Sequence, residues 1–277
     1  MHFLLELLQN ADDNAYNDSI IPKVKITYHD GTLRFDSNEM GFCRVDVESI
    51  CSIGQSPKKK SQQGRRRIGE KGIGFKAVFR VADEVFINSG FYSFKFNDKK
   101  SPGTDKEHLG RLTPVWAKFP KEPLAGFTSF FLSFRQKVDR RMIVEEMKKL
   151  DARLIMFLHS VKEVEINVFE TFSCSTKFTI RRADGVSQYS GLSSRILKPD
   201  NFSSYIIFRY AVTNLPEEEK RKGCNKSEIV LAFPEDSGSS HSQQQKEQKI
   251  ISPETHKVYS FLPIRDYGFK VCPPCHV

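Results

Sequence analysis

No stretch of this 277-residue chain approaches the ~20 consecutive apolar residues that a membrane-spanning helix requires. The first fifteen residues carry no basic leader ahead of their short apolar run, so nothing there reads as a secretory signal and the chain is expected in the cytoplasm or nucleus. Cysteine is scarce. Cys43, Cys51, Cys174, Cys224, Cys272 and Cys275 are too scattered for the disulfide framework of a small secreted domain and read as mostly reduced thiols. The Cys272 and Cys275 pair, in CPPCH, lacks the second ligand pair that zinc needs and the βαβ surroundings of a redox motif, which leaves incidental thiols. Familiar phosphate-binding signatures are missing as well. No G-x-x-x-x-G-K-[ST] occurs; Gly72, Gly74 and Ala77 imitate G-x-G-x-x-A, but the preceding QQGRRRIGEK is no buried strand; and neither H-R-D nor D-F-G follows.

Hydrophobic residues make up 39% of the chain, enough to bury a core in one large domain or two smaller ones. The net charge of +9 is uneven: SPKKKSQQGRRR, Ser56 to Arg67, holds six bases and no acid. Such a cluster suits a phosphate, whether of a nucleotide or of nucleic acid, or else is a solvated loop whose charges keep it off the protein body.

Periodicity gives a mixed α and β order. A helix opens the chain, and KVKITYHDGTLRFDS (Lys23 to Ser37) reads as two strands turning at Asp30-Gly31. Val45 to Gly54 reads as a short helix stopped by its glycine, FKAVFRVA as helix, VFINSGFYSFKF as two strands, and Phe127 to Arg135 as another strand. Asp139 to Leu150 is amphipathic, with Met142, Ile143, Met147 and Leu150 on one side, and VKEVEINVF alternates again. From about Arg181 only strand-like runs remain (SYIIFRYAV, SEIVLAF, VYSFLPI), interrupted by a polar segment, 234–252, read as a flexible loop.

Two stretches carry chemistry. In LLELLQNADDNAY, Leu4, Leu5, Leu7, Leu8, Ala11 and Ala15 recur at the spacing of a buried helical stripe, while Glu6, Asn10 and Asp13 follow the same rhythm on another face. In IGEKGIGFKAVF, Gly69, Gly72 and Gly74 form G-x-x-G-x-G directly ahead of helical sequence, either a tight turn or a cradle where backbone comes close to phosphate.

An acidic, amide-bearing helix, a strand ending in FDSNEMGF, a basic loop and then GEKGIGF follow the order of parts in the GHKL superfamily of ATPases, which includes gyrase B subunits, MutL proteins, histidine kinases and the ninety-kilodalton heat-shock chaperones. ELLQNADDN, NEMGF, ICSIGQSPKK, GEKGIGFKAVF and FLPIRDYGF most resemble the ATPase region of the sacsin and plant NO VEIN group, and the resemblance covers nearly the whole chain. It implies a two-layer α/β sandwich of Bergerat type with a mixed sheet over residues 1–182, followed by a partial β-rich extension over 183–277. Both ends are expected to be incomplete.

The resemblance also implies roles. Glu6 falls at the general base that deprotonates the attacking water, Asn10 at the amide oxygen that coordinates Mg²⁺, and Asp13 in the nucleotide pocket or on a water beside the metal. Gly69, Lys71, Gly72, Ile73, Gly74 and Phe75 match the phosphate loop, and Ile50 to Arg67 the lid that folds over ATP, where Ser56 or Lys58 can touch phosphate. The adenine site departs from D-x-G-x-G: Ser37 stands at the aspartate and Glu39 at the first glycine, leaving Gly41. Asp36, one residue early, serves only if the strand bulges; the carbonyl of Asn38 is the alternative acceptor. Thr128 matches a threonine beside the base, and Arg265 a phosphate-sensing residue. The expected function is Mg-ATP binding with slow hydrolysis, driving lid closure and domain rearrangement in a chaperone-like or regulatory protein with protein clients or a dimer partner. The alternatives are a nucleotide-binding interaction module without turnover and a polyanion-binding domain using the 58–67 bases.

Overall fold

The structure, a computed structural model, describes residues 2–51, 74–98, 109–170, 173–186, 192–198, 201–216, 226–235, 255–260 and 262–270. The chain divides into two units, Met1–Ile180 and Arg181–Val277.

The first unit is a mixed α/β fold around a large mixed sheet. Helix α1 (His2–Asp12) precedes a hairpin of β1 (Lys23–His29) and β2 (Thr32–Ser37). Asp30 and Gly31 turn that hairpin with φ of 40° and 71°, the left-handed pair whose twist matches the strands it joins. Helix α2 (Arg44–Cys51) follows, then a 3₁₀ segment, Phe75–Arg80, then β3 (Ala82–Ser89), β4 (Tyr92–Asn97), a 3₁₀ turn Leu109–Arg111, the two-residue β5 (Val115–Trp116) and β6 (Thr128–Phe134). After α3 (Arg140–Lys148) and a 3₁₀ segment Ala152–Phe157 come β7 (Glu163–Glu170) and β8 (Ser173–Val186), whose residues are divided between the units. The strand order is β8-β7-β1-β2-β6-β3-β4-β5. The sheet is mixed because β1 runs parallel to β7 and antiparallel to β2.

Cross-strand pairs share a face, so register says which residues meet. Ile26, Phe35, Phe130, Ile87 and Phe94 line one face of five strands, and all are buried. Onto it pack α1, through Phe3 edge-on to Phe134 at 6.1 Å, and the Phe75–Arg80 segment, through Phe75 against Phe96 at 5.8 Å and Phe130 at 6.0 Å. Leu4, Leu7, Leu8 and Ala11 of the stripe read from sequence are buried, with Phe3 joining them, while Leu5 is half-buried and Ala15, beyond the helix end, is exposed. The stretch after Gly74 is 3₁₀ rather than α: only seven residues separate Gly74 from β3, and Ala77 N–H bonds Gly74 O in the tighter i→i+3 pattern. In α3, Asp139 caps the first turn, accepting from the N–H groups of Arg141 and Met142. Its buried side is Ile143, Val144 and Met147; Met142, expected inside, is exposed, because the helix turns Val144 inward beside Ile143.

The second unit is a meander of the end of β8, β9 (Leu192–Lys198), β10 (Asn201–Thr213) and β11 (Lys226–Glu235), all antiparallel, with a separate hairpin of β12 (Thr255–Ser260) and β13 (Leu262–Lys270).

Candidate functional site

Glu6 lies on the α1 face away from the leucines, with one carboxylate oxygen 3.3 Å from His2 Nε2 one turn earlier. Its other oxygen fills the space where a side chain on Gly74 would be: an ideal Cβ there would stand 2.2 Å from Oε2. Residues 68 apart in sequence thus close on one another. Gly74 has φ −56° and ψ −47°, ordinary right-handed values, so glycine is required here for the close approach and not for an unusual backbone. Asn10 stands one turn beyond Glu6, half-buried. Asp13 is half-buried, its N–H extending the helix to Gln9 O at 3.0 Å.

Across from α1, the ends of three strands present a row of hydroxyls. Ser37 on β2 pairs in register with Thr128 on β6, and Thr128 Oγ1 lies 2.6 Å from Ser89 Oγ on β3. All three are buried. Ser37 Oγ is 2.9 Å from the Tyr16 hydroxyl, which donates to Ala11 O at 2.8 Å and so satisfies a carbonyl in the last turn of α1. Burial foremost, with the Glu39 and Asp12 charges nearby, pushes the Tyr16 phenol upward against the opposing Ser37 hydrogen bond and keeps it protonated. Ser89 Oγ also accepts from Phe42 N–H at 2.7 Å, and Gly41, at φ 90°, turns the chain over it.

The neighbouring polar residues are engaged elsewhere. β2 pairs without a bulge on either side, so Asp36 stays on the opposite face from Ser37, held by Arg34 Nε at 2.8 Å and the Ser129 hydroxyl at 2.6 Å. Asn38 accepts from Lys23 N–H at 2.7 Å and donates to Ile21 O at 2.9 Å, both bonds fixing the start of β1. Glu39 accepts from the Asn14 amide.

Asp12 is the residue that spacing passes over. It sits on the buried stripe of Leu4 and Leu8, and a carboxylate in register with leucines is the signal that marks it. Its oxygens accept from the N–H groups of His159, Ser160 and Val161 at 2.7, 2.8 and 2.9 Å, tying the end of the Glu6 helix to the entry of β7.

Lys76 is a second such residue. Its ammonium donates to Ile50 O at 2.7 Å, in the last turn of α2, and to Arg111 O at 2.6 Å, and lies 4.8 Å from the centre of the Phe96 ring. Burial, aided by the Arg111 charge and opposed by Cys51, lowers its pKa to about 8. A base depressed in the folded state binds more protons unfolded, so stability should rise with pH from about 8 toward the ordinary 10.5. Lys76 is partly exposed, so the slope should fall well short of the limiting ~1.4 kcal/mol per pH unit for one proton. Denaturant unfolding across that pH range should show the slope in the native chain and its loss in Lys76→Met; parallel profiles would show that Lys76 titrates normally.

Ser56, Lys58, Gly69, Lys71, Gly72, Ile73, Cys272 and Cys275 lie outside the described residues, and Arg265 falls within β13. Among the described residues no group of three or more His, Cys, Asp or Glu side chains could hold a metal ion, and no helix is long and apolar enough to cross a membrane.

No family model matches the chain. It is similar to the Protein NO VEIN of Arabidopsis thaliana, with 29% identity over 284 aligned positions that take in 97% of this chain and 10% of that protein, of whose length it therefore spans about a tenth.

Proposed function

We propose that the first unit is a Mg-ATP-binding domain of GHKL type, a Bergerat α/β sandwich that hydrolyses ATP slowly and couples the nucleotide to rearrangement of a larger chaperone-like or regulatory protein. The observation that carries this reading is the seating of Glu6 against Gly74. A phosphate loop needs bare backbone beside the group that acts on its phosphate, and Gly74 supplies it at the one carboxylate on the exposed side of α1. The hydroxyl row beneath Tyr16 supports a base site at the other end of the helix, where Ser37 and Thr128 lie side by side.

The residues suit the cofactor. Asn10 offers an amide oxygen, a hard ligand of the kind Mg²⁺ prefers, on the same helical face as Glu6 and one turn away. Bound Mg²⁺ would supply charge neutralisation for the phosphates. Glu6 takes the proton from the attacking water, and Gly74, by lacking a side chain, leaves the space its carboxylate occupies. The buried hydroxyls of Ser37, Thr128 and Ser89 both donate and accept, so they can satisfy a polar base edge without a charge.

Calorimetry and phosphate release test the two roles separately. Glu6→Ala should leave Mg-ATP affinity within a few-fold and reduce turnover by about 10²-fold or more, while Asn10→Ala should abolish the Mg²⁺ dependence of binding with the fold intact. Equal turnover with and without the Glu6 carboxylate would remove the general-base role. ATP binding with no turnover in the native chain would favour the interaction module, a reading supported by the absence of a carboxylate at Ser37.

A further inference from the structure

Two hydrogen-bonded rows end side by side on the α1 face of the sheet, and the direction of each is set at its far end by a backbone group that can act only one way. In the first row that group is Ala11 O, an acceptor. The Tyr16 hydroxyl has a single hydrogen and donates it to this carbonyl at 2.8 Å, so the 2.9 Å contact between Tyr16 and Ser37 must use the Ser37 hydrogen. Burial keeps the Tyr16 phenol protonated, which holds that order in place. With its hydrogen spent on Tyr16, Ser37 Oγ can only accept from any further group.

The second row starts at Phe42 N–H, a donor, which reaches Ser89 Oγ at 2.7 Å. A hydroxyl that accepts from an N–H becomes the stronger donor, so the 2.6 Å contact between Ser89 and Thr128 uses the Ser89 hydrogen and leaves Thr128 its own to give. Ser37 and Thr128 are cross-strand partners on one face, each 1% exposed, so solvent does not scramble the two directions. An acceptor and a donor thus stand next to each other.

We infer that Tyr16 sets the base selectivity of this site: by holding Ser37 as an acceptor beside the Thr128 donor, it selects a purine that carries an amino group next to an unprotonated ring nitrogen and rejects one that carries a carbonyl next to a ring N–H. The inference rests on the nucleotide reading of the first unit. Adenine presents donor then acceptor, the complement of Ser37 and Thr128. Hypoxanthine and guanine present the reverse, which sets oxygen against oxygen at Ser37 and hydrogen against hydrogen at Thr128. Two neutral hydroxyls in this order make the choice without a buried charge.

Calorimetry of the 277-residue chain with the magnesium salts of ATP and of inosine triphosphate reads the ratio of two affinities, which a general loss of stability leaves unchanged. The native chain should bind ATP about 10²-fold more tightly, with about tenfold from each of the two mismatched contacts. In Tyr16→Phe the Ser37 hydrogen is released and can turn toward a carbonyl, so the ratio should fall about tenfold through tighter binding of inosine triphosphate, a gain that damage to the fold does not produce. Ser37→Ala, which keeps the Tyr16 bond to Ala11, should lower the ratio by a similar factor through weaker binding of ATP. A native chain that binds both nucleotides equally, or a ratio that either substitution leaves unchanged, would overturn the inference and leave the nucleotide reading standing. A native chain that binds neither would remove that reading and the inference with it.

Discussion

Gly74→Ala should leave the protein folded and, on the proposed ATPase reading, cut phosphate release by about 10²-fold. The added methyl would stand 2.2 Å from Glu6 Oε2, inside any permitted contact, so one of the two must move. The cheaper movement is a rotation of the carboxylate, the free end of a flexible side chain that is 20% exposed. The stability cost should therefore stay within about 1 kcal/mol, the scale of one off-rotamer adjustment. With Glu6 as the proposed general base, turnover should respond differently, because displacing a catalytic group by about 1 Å can cost 10²-fold. The two measurements should part company: denaturant midpoints close to native, phosphate release down by about 10²-fold. In a Glu6→Ala background the same substitution should cause no further loss of turnover, since the group it displaces is already gone. A Gly74→Ala protein that hydrolyses ATP at the native rate would show that the position of Glu6 against Gly74 has no part in catalysis.

Asp12→Ala should produce the largest loss of stability. The carboxylate is buried and holds three successive backbone N–H groups, and Val161, the last of these residues, is fully buried. Removing both oxygens strands the buried Val161 N–H without water to replace it, while the exposed His159 and half-buried Ser160 N–H groups can turn to solvent, so at about 1–3 kcal/mol for an unsatisfied buried group a loss of about 2 kcal/mol is expected. Asp12→Asn retains one acceptor oxygen but turns an amide donor toward the same N–H groups, and should fall between. The pH dependence has a definite sign. Burial alone would raise this carboxyl, but the His159 side chain and the backbone N–H groups of His159, Val161 and Ser160 outweigh it and hold the pKa below its ordinary value. A depressed folded-state pKa means that the stabilisation is present above the unfolded pKa of about 3.9 and is lost as pH falls through the folded value. Acid unfolding of the native chain should accordingly be steeper than that of Asp12→Asn. Superimposable acid profiles would show that Asp12 contributes no proton linkage, whatever its hydrogen bonds.

What the sequence determined was local. The Asp30-Gly31 turn, the strands on either side of it, the leucine stripe of α1 and the strand Thr128–Phe134 all follow from conformational preference and periodicity within a few residues, whereas the burial of that last strand on both faces does not. The placing of Glu6 and Asn10 one turn apart on a helix was legible for the same reason, while Asp13 falls in the turn just past the end of α1. What the tertiary structure alone decided was which groups meet and which are spent. Alternation placed Asp36 and Ser37 on opposite faces, but only the unbroken register with β1 and β6 ruled out the bulge that would have exchanged them. Nothing within twenty residues of Asp12 reveals that its acceptors are needed at residues 159–161, and nothing near Gly74 reveals the carboxylate that occupies the place of its side chain. These are contacts between segments that pack only once the sheet has assembled. Their energies depend on distance in space and on exclusion of water, neither of which is a property of neighbouring positions along the chain.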